Sequence, residues 1–443
     1  MAYGTNGFSV SRNRASMNSG ALTGIVAGML LALTAFTASA ETVAVSAASM
    51  LDVQSGRMIE NPLVIIVDGR IASIGSQGES SPPEGSKHID LSGLTLLPGF
   101  IDMHTHLEGV VEHGGYTSLQ YTDSFHTFVA TSNARDTLEA GFTTVRTLGG
   151  SPFVDVGLKQ AIDEGYVFGP RIIPSGASFG ATGGHCDTTY FPPSMKQSSP
   201  YNADSPEEGR KRVREIRKYG AEVIKICATG GVFSRNTEPG QQQLSLEEMR
   251  AIVDEAHMWG LKVAAHAHGA AGIKDAIRAG VDTIEHASLI DDEGIRLAKK
   301  HGTWLSMDIY NTEYTQAEGK KNGVLEDNLR KDREIAELQR QGFKRAHAAG
   351  VKMVYGTDTG VYPHAQNGRQ FAVMVRYGMS PLEAIRAATL NASQALGRAD
   401  VGLIAEKRWG DMVAVAGNPL QDVTLLEKPV VVVKGGIIAI DRR

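Results

Sequence analysis

The chain has 443 residues with a formal net charge of −5, and 42% of its residues are hydrophobic and 21% charged. This length is typical of a large barrel or of two domains, and the composition is that of an ordinary soluble globular protein. No run of lysine and arginine in the chain is longer than three residues, so nucleic acid is not an expected partner.

The first 40 residues differ from the rest of the chain. They contain no acidic residue, carry Arg12 and Arg14, and end in the apolar run "ALTGIVAGMLLALTAFTASA". We interpret residues 1–40 as a signal peptide cleaved after Ala40, which predicts an exported protein, periplasmic or secreted, with a net charge of −7. An uncleaved membrane anchor is the alternative reading of this segment, and Met17 is a second possible start. Nothing after residue 41 is long and apolar enough to span a bilayer.

Three further segments follow the signal peptide. Residues 41–97 contain short alternating strands broken by glycine turns, residues 98–400 alternate strands with helices, and residues 401–443 return to short strands. We predict an α/β protein whose central segment is a (β/α)8 TIM barrel. The two flanking segments are expected to pair as one small β-sandwich beside the barrel.

The barrel prediction rests on eight strand-like runs, each followed by helical sequence. The first run contains "HTH", and the other seven are "FTTVRTL", "RIIPSG", "AEVIKICA", "LKVAAHAH", "DTIEHA", "GTWLSM" and "KMVYGTD". Helical patterns between them include "SLEEMRAIVDEAHMWG" and "DNLRKDREIAELQRQGFKRAHAAG".

Ionisable residues recur where these strands end. His104 and His106 are two residues apart in a strand and therefore point to the same side. Because catalytic groups of such barrels lie at the carboxyl ends of the strands, the other strand-end residues are expected to converge with them. Burying them without a metal or a partner would cost several kcal/mol each. The set is Lys225, His266, His268, His286 and Asp358.

Several longer motifs resemble those of the amidohydrolase superfamily, in its two-metal branch. They are "DGRIASIG", "LLPGFIDMHTH", "ATGGVFS", "AATLNASQALG" and "WGDMVAVAGNPLQD", spread over nearly everything from residue 41 onward. Within that superfamily the chain resembles the secreted prolidase-like and ochratoxinase-like peptidases.

The resemblance implies two divalent metal ions, for which we expect zinc. His104, His106 and Asp358 would hold one ion, and His266 and His286 the other. Lys225, carboxylated by carbon dioxide, would bridge both. A hydroxide between the ions would be the nucleophile, and Asp358 would move its proton to the leaving amine.

Other candidates lie in loops that follow the strands. His268 is a candidate catalytic residue or a packing histidine, and Tyr121 could hydrogen-bond the scissile carbonyl. Arg235 could bind a substrate carboxylate as a bidentate partner. His185 and His364 are candidate substrate-binding residues. Cys186 and Cys227 are the only cysteines, and whether they pair is left open.

We therefore predict a metal-dependent amide hydrolase that releases the C-terminal amino acid from dipeptides or N-acyl amino acids, ochratoxin-type amides included. A homo-oligomer is expected. Two alternatives remain: a hydrolase of cyclic amides or imidazolones, and a metal-binding barrel protein without catalysis. Lys225 argues against the imidazolone branch, which lacks a bridging lysine.

Overall fold

The computed structural model describes residues 41–113 and 116–443. The predicted signal peptide and both possible start residues lie outside these described residues. Within them, no helix combines the length and apolarity that a bilayer crossing requires.

The N- and C-terminal segments of the described chain share one sheet of eight strands. Its strands are β1 (Thr42–Asp52), β2 (Arg57–Glu60), β3 (Pro62–Val67), β4 (Arg70–Ser76), β5 (Lys87–Pro98), β14 (Met412–Val415), β15 (Val431–Lys434) and β16 (Ile437–Asp441).

The strand order in this sheet is β16-β15-β14-β5-β1-β3-β4, with β2 paired to β1. Strand β14 runs antiparallel to β5, with Val413 opposite Leu97. The two ends of the chain therefore pair as expected. The pairings define one sheet, and its division into the two layers of a sandwich stays a prediction.

Eight parallel strands lie between these segments, in the order and number expected. They are β6 (Phe100–Thr105), β7 (Phe142–Thr147), β8 (Arg171–Pro174), β9 (Val223–Cys227), β10 (Lys262–Ala267), β11 (Thr283–His286), β12 (Trp304–Ser306) and β13 (Met353–Val354).

The hydrogen bonds divide these eight strands into two sheets, with the orders β6-β7-β8 and β13-β12-β11-β10-β9. Isolated parallel bridges join residues near the sheet edges: Phe179 bridges Ile226, and Thr105 bridges Thr359. The structure thus has the α/β content and the parallel strands of the predicted barrel, while its closure into one continuous sheet stays a prediction.

Helices separate the strands. They are α1 (Asp123–Glu139), α2 (Val154–Asp163), α3 (Pro206–Lys218), α4 (Leu246–Met258), α5 (Ala270–Ala279), α6 (Asp292–His301), α7 (Asn311–Glu318), α8 (Glu326–Ala348), α9 (Gln370–Arg376), α10 (Pro381–Ala387) and α11 (Leu390–Leu396). Short 3-10 turns occupy Val111–His113, Thr117–Gln120, Pro193–Met195, His364–Arg369 and Val423–Glu427.

Local sequence explains where several of these helices begin and end. Ser245 caps α4 in a reciprocal capping box with Glu248, so two backbone N–H groups of the first turn have partners. Helix α6 begins after Asp291 and ends at Gly302, which has a φ of 71°.

The core lies between the parallel strands and the inner faces of the helices. Aliphatic side chains such as Ile226, Val263, Ile284 and Leu305 are fully or almost fully buried there. Burying such side chains stabilises the fold by about 1.5–3 kcal/mol each. The polar residues at the carboxyl ends of the same strands point into the cavity described next.

Candidate metal centre and active site

A cavity of about 380 Å³ lies at the carboxyl ends of the parallel strands. The structure brings all six predicted metal ligands into its wall, as well as His185 and His268. The six are His104, His106, Lys225, His266, His286 and Asp358. Residues from five different strands or strand ends therefore converge on one space.

The first donor group consists of His104, His106 and Asp358. Oδ1 of Asp358 lies 3.0 Å from Nε2 of His106 and 3.4 Å from Nε2 of His104. The Asp358 N–H donates to the carbonyl oxygen of His104 at 2.8 Å, which ties the segment after β13 to strand β6. This tie holds the carboxylate beside both imidazoles.

The second donor group consists of His266, His268 and His286, whose candidate ligand atoms all lie within 4.8 Å of one another. His286 also belongs to a third group, with Asp308 and Asp358, so the donor groups are contiguous. The structure places both His266 and His268 beside His286, and the choice of His266 as the ligand stays a prediction.

Buried oxygen atoms orient three of these imidazoles from behind. Nδ1 of His104 lies 3.1 Å from Oε2 of Glu285, and Nδ1 of His286 lies 3.0 Å from Oδ1 of Asp308. Nδ1 of His106 lies 2.9 Å from the carbonyl oxygen of Gly149. When Nδ1 donates its hydrogen, the lone pair of Nε2 in each ring is free to bind a metal, which is the usual arrangement of metal-binding histidines.

Lys225 lies on β9 and lines the same cavity as the donor groups. Its Nζ is 3.3 Å from Nε2 of His104, and the residue is 3% exposed. Burial lowers the pKa of Lys225 to about 8, although Glu285 and Asp358 act in the opposite direction. A larger fraction of its amine is therefore unprotonated at neutral pH than in a free lysine.

Burial and neighbouring charges also set the protonation of the histidines and of Asp358. Burial lowers the pKa of His104 to about 3, so its ring is neutral. Burial would raise the pKa of Asp358, but His104 and His106 hold it below its usual range. For His106 burial acts to lower the pKa, and the hydrogen bond and charge of Asp358 outweigh it, so that the pKa is raised.

The donor set fits divalent transition-metal ions. Imidazoles that each have one ring nitrogen already bonded, an ionised carboxylate and Lys225 all line one cavity. Imidazole and carboxylate ligands of this kind suit zinc and its neighbours.

His185, expected to bind substrate, lies in the cavity wall. Its Nδ1 is 2.8 Å from the Ser234 hydroxyl oxygen, and its ring stacks on His266 with 4.1 Å between centroids. Burial lowers the pKa of His185 to about 3, so the ring is neutral. This position is compatible with its predicted role, which stays a prediction.

His364 is not part of the described cavity wall, and its predicted substrate-binding role stays a prediction. Its Nδ1 lies 3.0 Å from the Thr137 hydroxyl, and its Nε2 lies 3.2 Å from the carbonyl oxygen of His106. Both ring nitrogens therefore have protein partners, and the side chain supports the strand segment that carries His106.

Tyr121 and Arg235 also lie outside the described cavity wall. Tyr121 stacks between His113 and Phe125, with ring centroids 4.4 and 4.3 Å away. The exposed Arg235 has Nη1 3.3 Å from the hydroxyl of Tyr116. The described geometry shows no contact of Tyr121 with the donor groups, so its catalytic role lacks support. The substrate role of Arg235 stays a prediction.

Several site residues escaped the sequence analysis. Asp308 follows β12 just as Asp358 follows β13, so the strand-end criterion applied to "LSMDIY" would have found it. Glu285 is fully buried and pairs with Arg146 Nη2 at 2.7 Å. Burial would raise the pKa of Glu285, but the charge of Arg146 and the hydrogen bond with His104 hold it below its usual range.

Cys186 and Cys227, whose pairing was left open, form a disulfide with a Cα–Cα distance of 5.8 Å. The disulfide joins the loop that carries His185 to the end of β9, two residues beyond Lys225. Both cysteines line the cavity.

Comparison with known proteins identifies the group to which these features belong. The model of the amidohydrolase family matches residues 95–438. Ochratoxinase of Aspergillus niger is 33% identical over 420 residues, which cover 88% of this chain and 85% of the relative.

Two solved structures are similar over almost their whole length. A Xaa-Pro dipeptidase with bound methionine in its active site has a TM-score of 0.82 and 33% identity, and covers 90% of this chain and 99% of its own. A prolidase complexed with N-methylphosphonate-L-proline has a TM-score of 0.83 and 30% identity. The match covers 91% of this chain and 100% of the prolidase chain.

Proposed function

Since the chain belongs to the amidohydrolase family, within its ochratoxinase- and prolidase-like group, and is thus a hydrolase of C–N bonds in amides, we propose which class of amides it hydrolyses. The enzyme releases the C-terminal amino acid from dipeptides or N-acyl amino acids. The observation that carries the proposal is that contiguous donor groups and Lys225 line one cavity.

Two divalent ions, proposed to be zinc, would be held at this site. His104, His106 and Asp358 would bind one, His266 and His286 the other, and Lys225, carboxylated on Nζ, both. Ions bound there would supply a water of lowered pKa and polarise the amide carbonyl. The neutral amine that carboxylation of Lys225 requires is favoured by its lowered pKa.

The side chains of the cavity would then handle protons and position the amide. Asp358, ionised and turned into the cavity, accepts the proton of the attacking water and passes it to the leaving amine. His268 is held by a 2.7 Å contact between its Nδ1 and the Ser288 hydroxyl. Burial keeps the pKa of His268 well below its usual value, so its neutral ring is suited to hydrogen-bonding the amide oxygen.

Three broader features belong to the same proposal. The two parallel sheets close into a (β/α)8 barrel, which the bridges at their edges support, and the terminal strands form the two layers of a sandwich. The mature enzyme is exported. A disulfide in the cavity wall supports this localisation, because disulfides persist mainly in oxidising compartments.

A screen of dipeptides, N-acyl amino acids and cyclic amides tests the proposal. Metal-loaded protein is expected to release a C-terminal amino acid from linear amides, and chelator-treated protein should not until metal is restored. Lys225→Ala should lose bound metal and activity together. Hydrolysis of cyclic amides only, or of no amide, would refute the substrate class.

A further inference from the structure

Helix α8 contributes an acidic side chain to the cavity wall. Asp332, Ile335 and Gln339 all line the cavity, and their spacing of three and four residues places them on one face of the helix. Lys331 anchors the helix beside them, because its buried ammonium donates to the carbonyl oxygen of Ser234 at 2.6 Å. The carboxyl group of Asp332 is therefore held at the cavity while the residue is only 3% exposed.

The charge of Asp332 has no matching cation among the described side chains. Its one hydrogen bond there comes from the Gln316 amide, which donates to Oδ2. An amide donor does not neutralise a buried carboxylate, and an unpaired charge is costly to bury. Burial accordingly raises the pKa of Asp332 to about 7.

Nearby cationic side chains on α8 bond to other groups. Arg333 pairs with Glu326, and Arg340 donates to the Ile309 carbonyl and the Thr312 hydroxyl. They lower the pKa of Asp332 only through weak electrostatic effects.

The other two aspartates of the cavity wall contact histidines of the donor groups. Asp358 contacts His104 and His106. Asp308 accepts from Gln339 Nε2 at 2.9 Å and lies 3.0 Å from Nδ1 of His286. Asp332 belongs to none of the donor groups with metal-ligand spacing in the described chain. It is thus the one carboxylate of the cavity wall left available to a ligand.

We propose that Asp332 selects substrates by binding a positively charged nitrogen group. This inference rests on the proposed function, since it concerns which amides enter the same cavity. The cation is either the free α-ammonium group of a dipeptide or the ammonium or guanidinium group of a basic side chain. Asp332 acts as a specificity residue and takes no part in moving protons at the amide bond.

Matched substrates that differ by one charge test this inference. N-acetyl-leucyl-lysine and N-acetyl-lysyl-norleucine are each compared with N-acetyl-leucyl-norleucine, and leucyl-norleucine tests the α-ammonium group. We expect kcat/KM for at least one cationic substrate to exceed that of the neutral substrate about tenfold or more, the usual value of a hydrogen bond to a charged group. Equal values for all four would overturn the inference.

The variant Asp332→Asn keeps the shape of the side chain and removes its charge. We expect it to abolish the preference for the cationic substrate, so that kcat/KM for this substrate falls to the value that the variant shows for the neutral substrate. Asp332→Glu, which keeps the charge, should retain the preference. Glu334→Gln is the matched control, because Glu334 lies on the exposed side of α8 and pairs with Arg330; it should behave as wild type. A preference that survives in Asp332→Asn refutes the role.

Binding measurements separate this inference from the proposed function. Calorimetry on metal-loaded protein compares the affinity for L-lysine with that for L-norleucine, and the affinity for L-norleucine with that for N-acetyl-norleucine. Tighter binding of a cationic ligand that disappears in Asp332→Asn supports the inference even if no amide is hydrolysed. Absence of any charge preference in binding contradicts it, whatever the enzyme hydrolyses.

Discussion

Asp358 has a backbone conformation that few residues other than glycine adopt, with a φ of 61°. His286, also in the donor set, has a φ of 69°. Left-handed conformations at non-glycine residues cost energy and concentrate at functional sites. At these two positions a carboxylate after β13 and an imidazole at the end of β11 line the same cavity.

The left-handed backbone makes Asp358→Asn an informative substitution, because asparagine tolerates this conformation as well as aspartate does. The variant keeps an oxygen for coordination but cannot accept a proton at neutral pH. We expect it to fold, to retain most of its metal and to lose about 10²–10⁴-fold in kcat. Elemental analysis and steady-state kinetics measure these two quantities. A metal-replete variant with nearly normal kcat would place the base elsewhere, with His268 or His185 next to be tested.

Metal affinity should depend on pH through His106. Because Asp358 raises the pKa of His106 in the metal-free protein, this imidazole keeps its proton to a higher pH than a free histidine. Metal must displace that proton, so affinity should rise as the pH increases through the raised pKa and fall below it. Competition with a chelator between about pH 6 and 8 measures the trend. Replacing Asp358 with asparagine should shift the dependence to lower pH, and an affinity independent of pH would contradict this explanation.

Among the elements, the loop between β8 and α3 depends on a covalent link. It carries His185, whose neighbour Cys186 is joined to Cys227 at the end of β9 across 41 residues of sequence. The disulfide therefore holds this loop at the end of β9, the strand that also carries Lys225.

Replacing both cysteines with serine should lower the free energy of unfolding by about 4 kcal/mol, mainly through the added freedom of the unfolded chain. Denaturant unfolding of wild type and variant measures the difference. A reductant should destabilise the wild type in the same sense and leave the double variant unaffected. Equal stability of the two proteins would show that the link contributes nothing to the fold.

For the whole molecule, the N-terminal segment is the part of the sequence from which export is predicted. The apolar run that ends at Ala40 predicts cleavage there, so the N-terminal sequence of exported protein should begin at Glu41 or within a residue or two. Ala40→Arg, which removes the small residue at the cleavage site, should accumulate the longer form. A mature protein that retains the apolar run would contradict the prediction.

The sequence by itself determined the strands of the metal site and the residues at their ends. Alternation along a strand directs His104 and His106 to one side, and parallel strands bring their carboxyl ends together whatever connects them. These are local rules, and they also located Lys225, His286 and Asp358. The strand bounds differ from the prediction: the run "KMVYGTD" predicts a longer strand than β13, which comprises only Met353–Val354.

Only the tertiary structure decided which side chains surround those strands. Glu285 supports His104 across 181 residues of sequence, His364 contacts the carbonyl oxygen of His106, and Cys186 bonds to Cys227. Asp332 reaches the cavity because α7 and α8 pack over it, which no helical pattern of α8 alone predicts. The direction of a side chain from a strand follows from local backbone geometry, whereas the position of a loop or helix is the outcome of packing between distant segments.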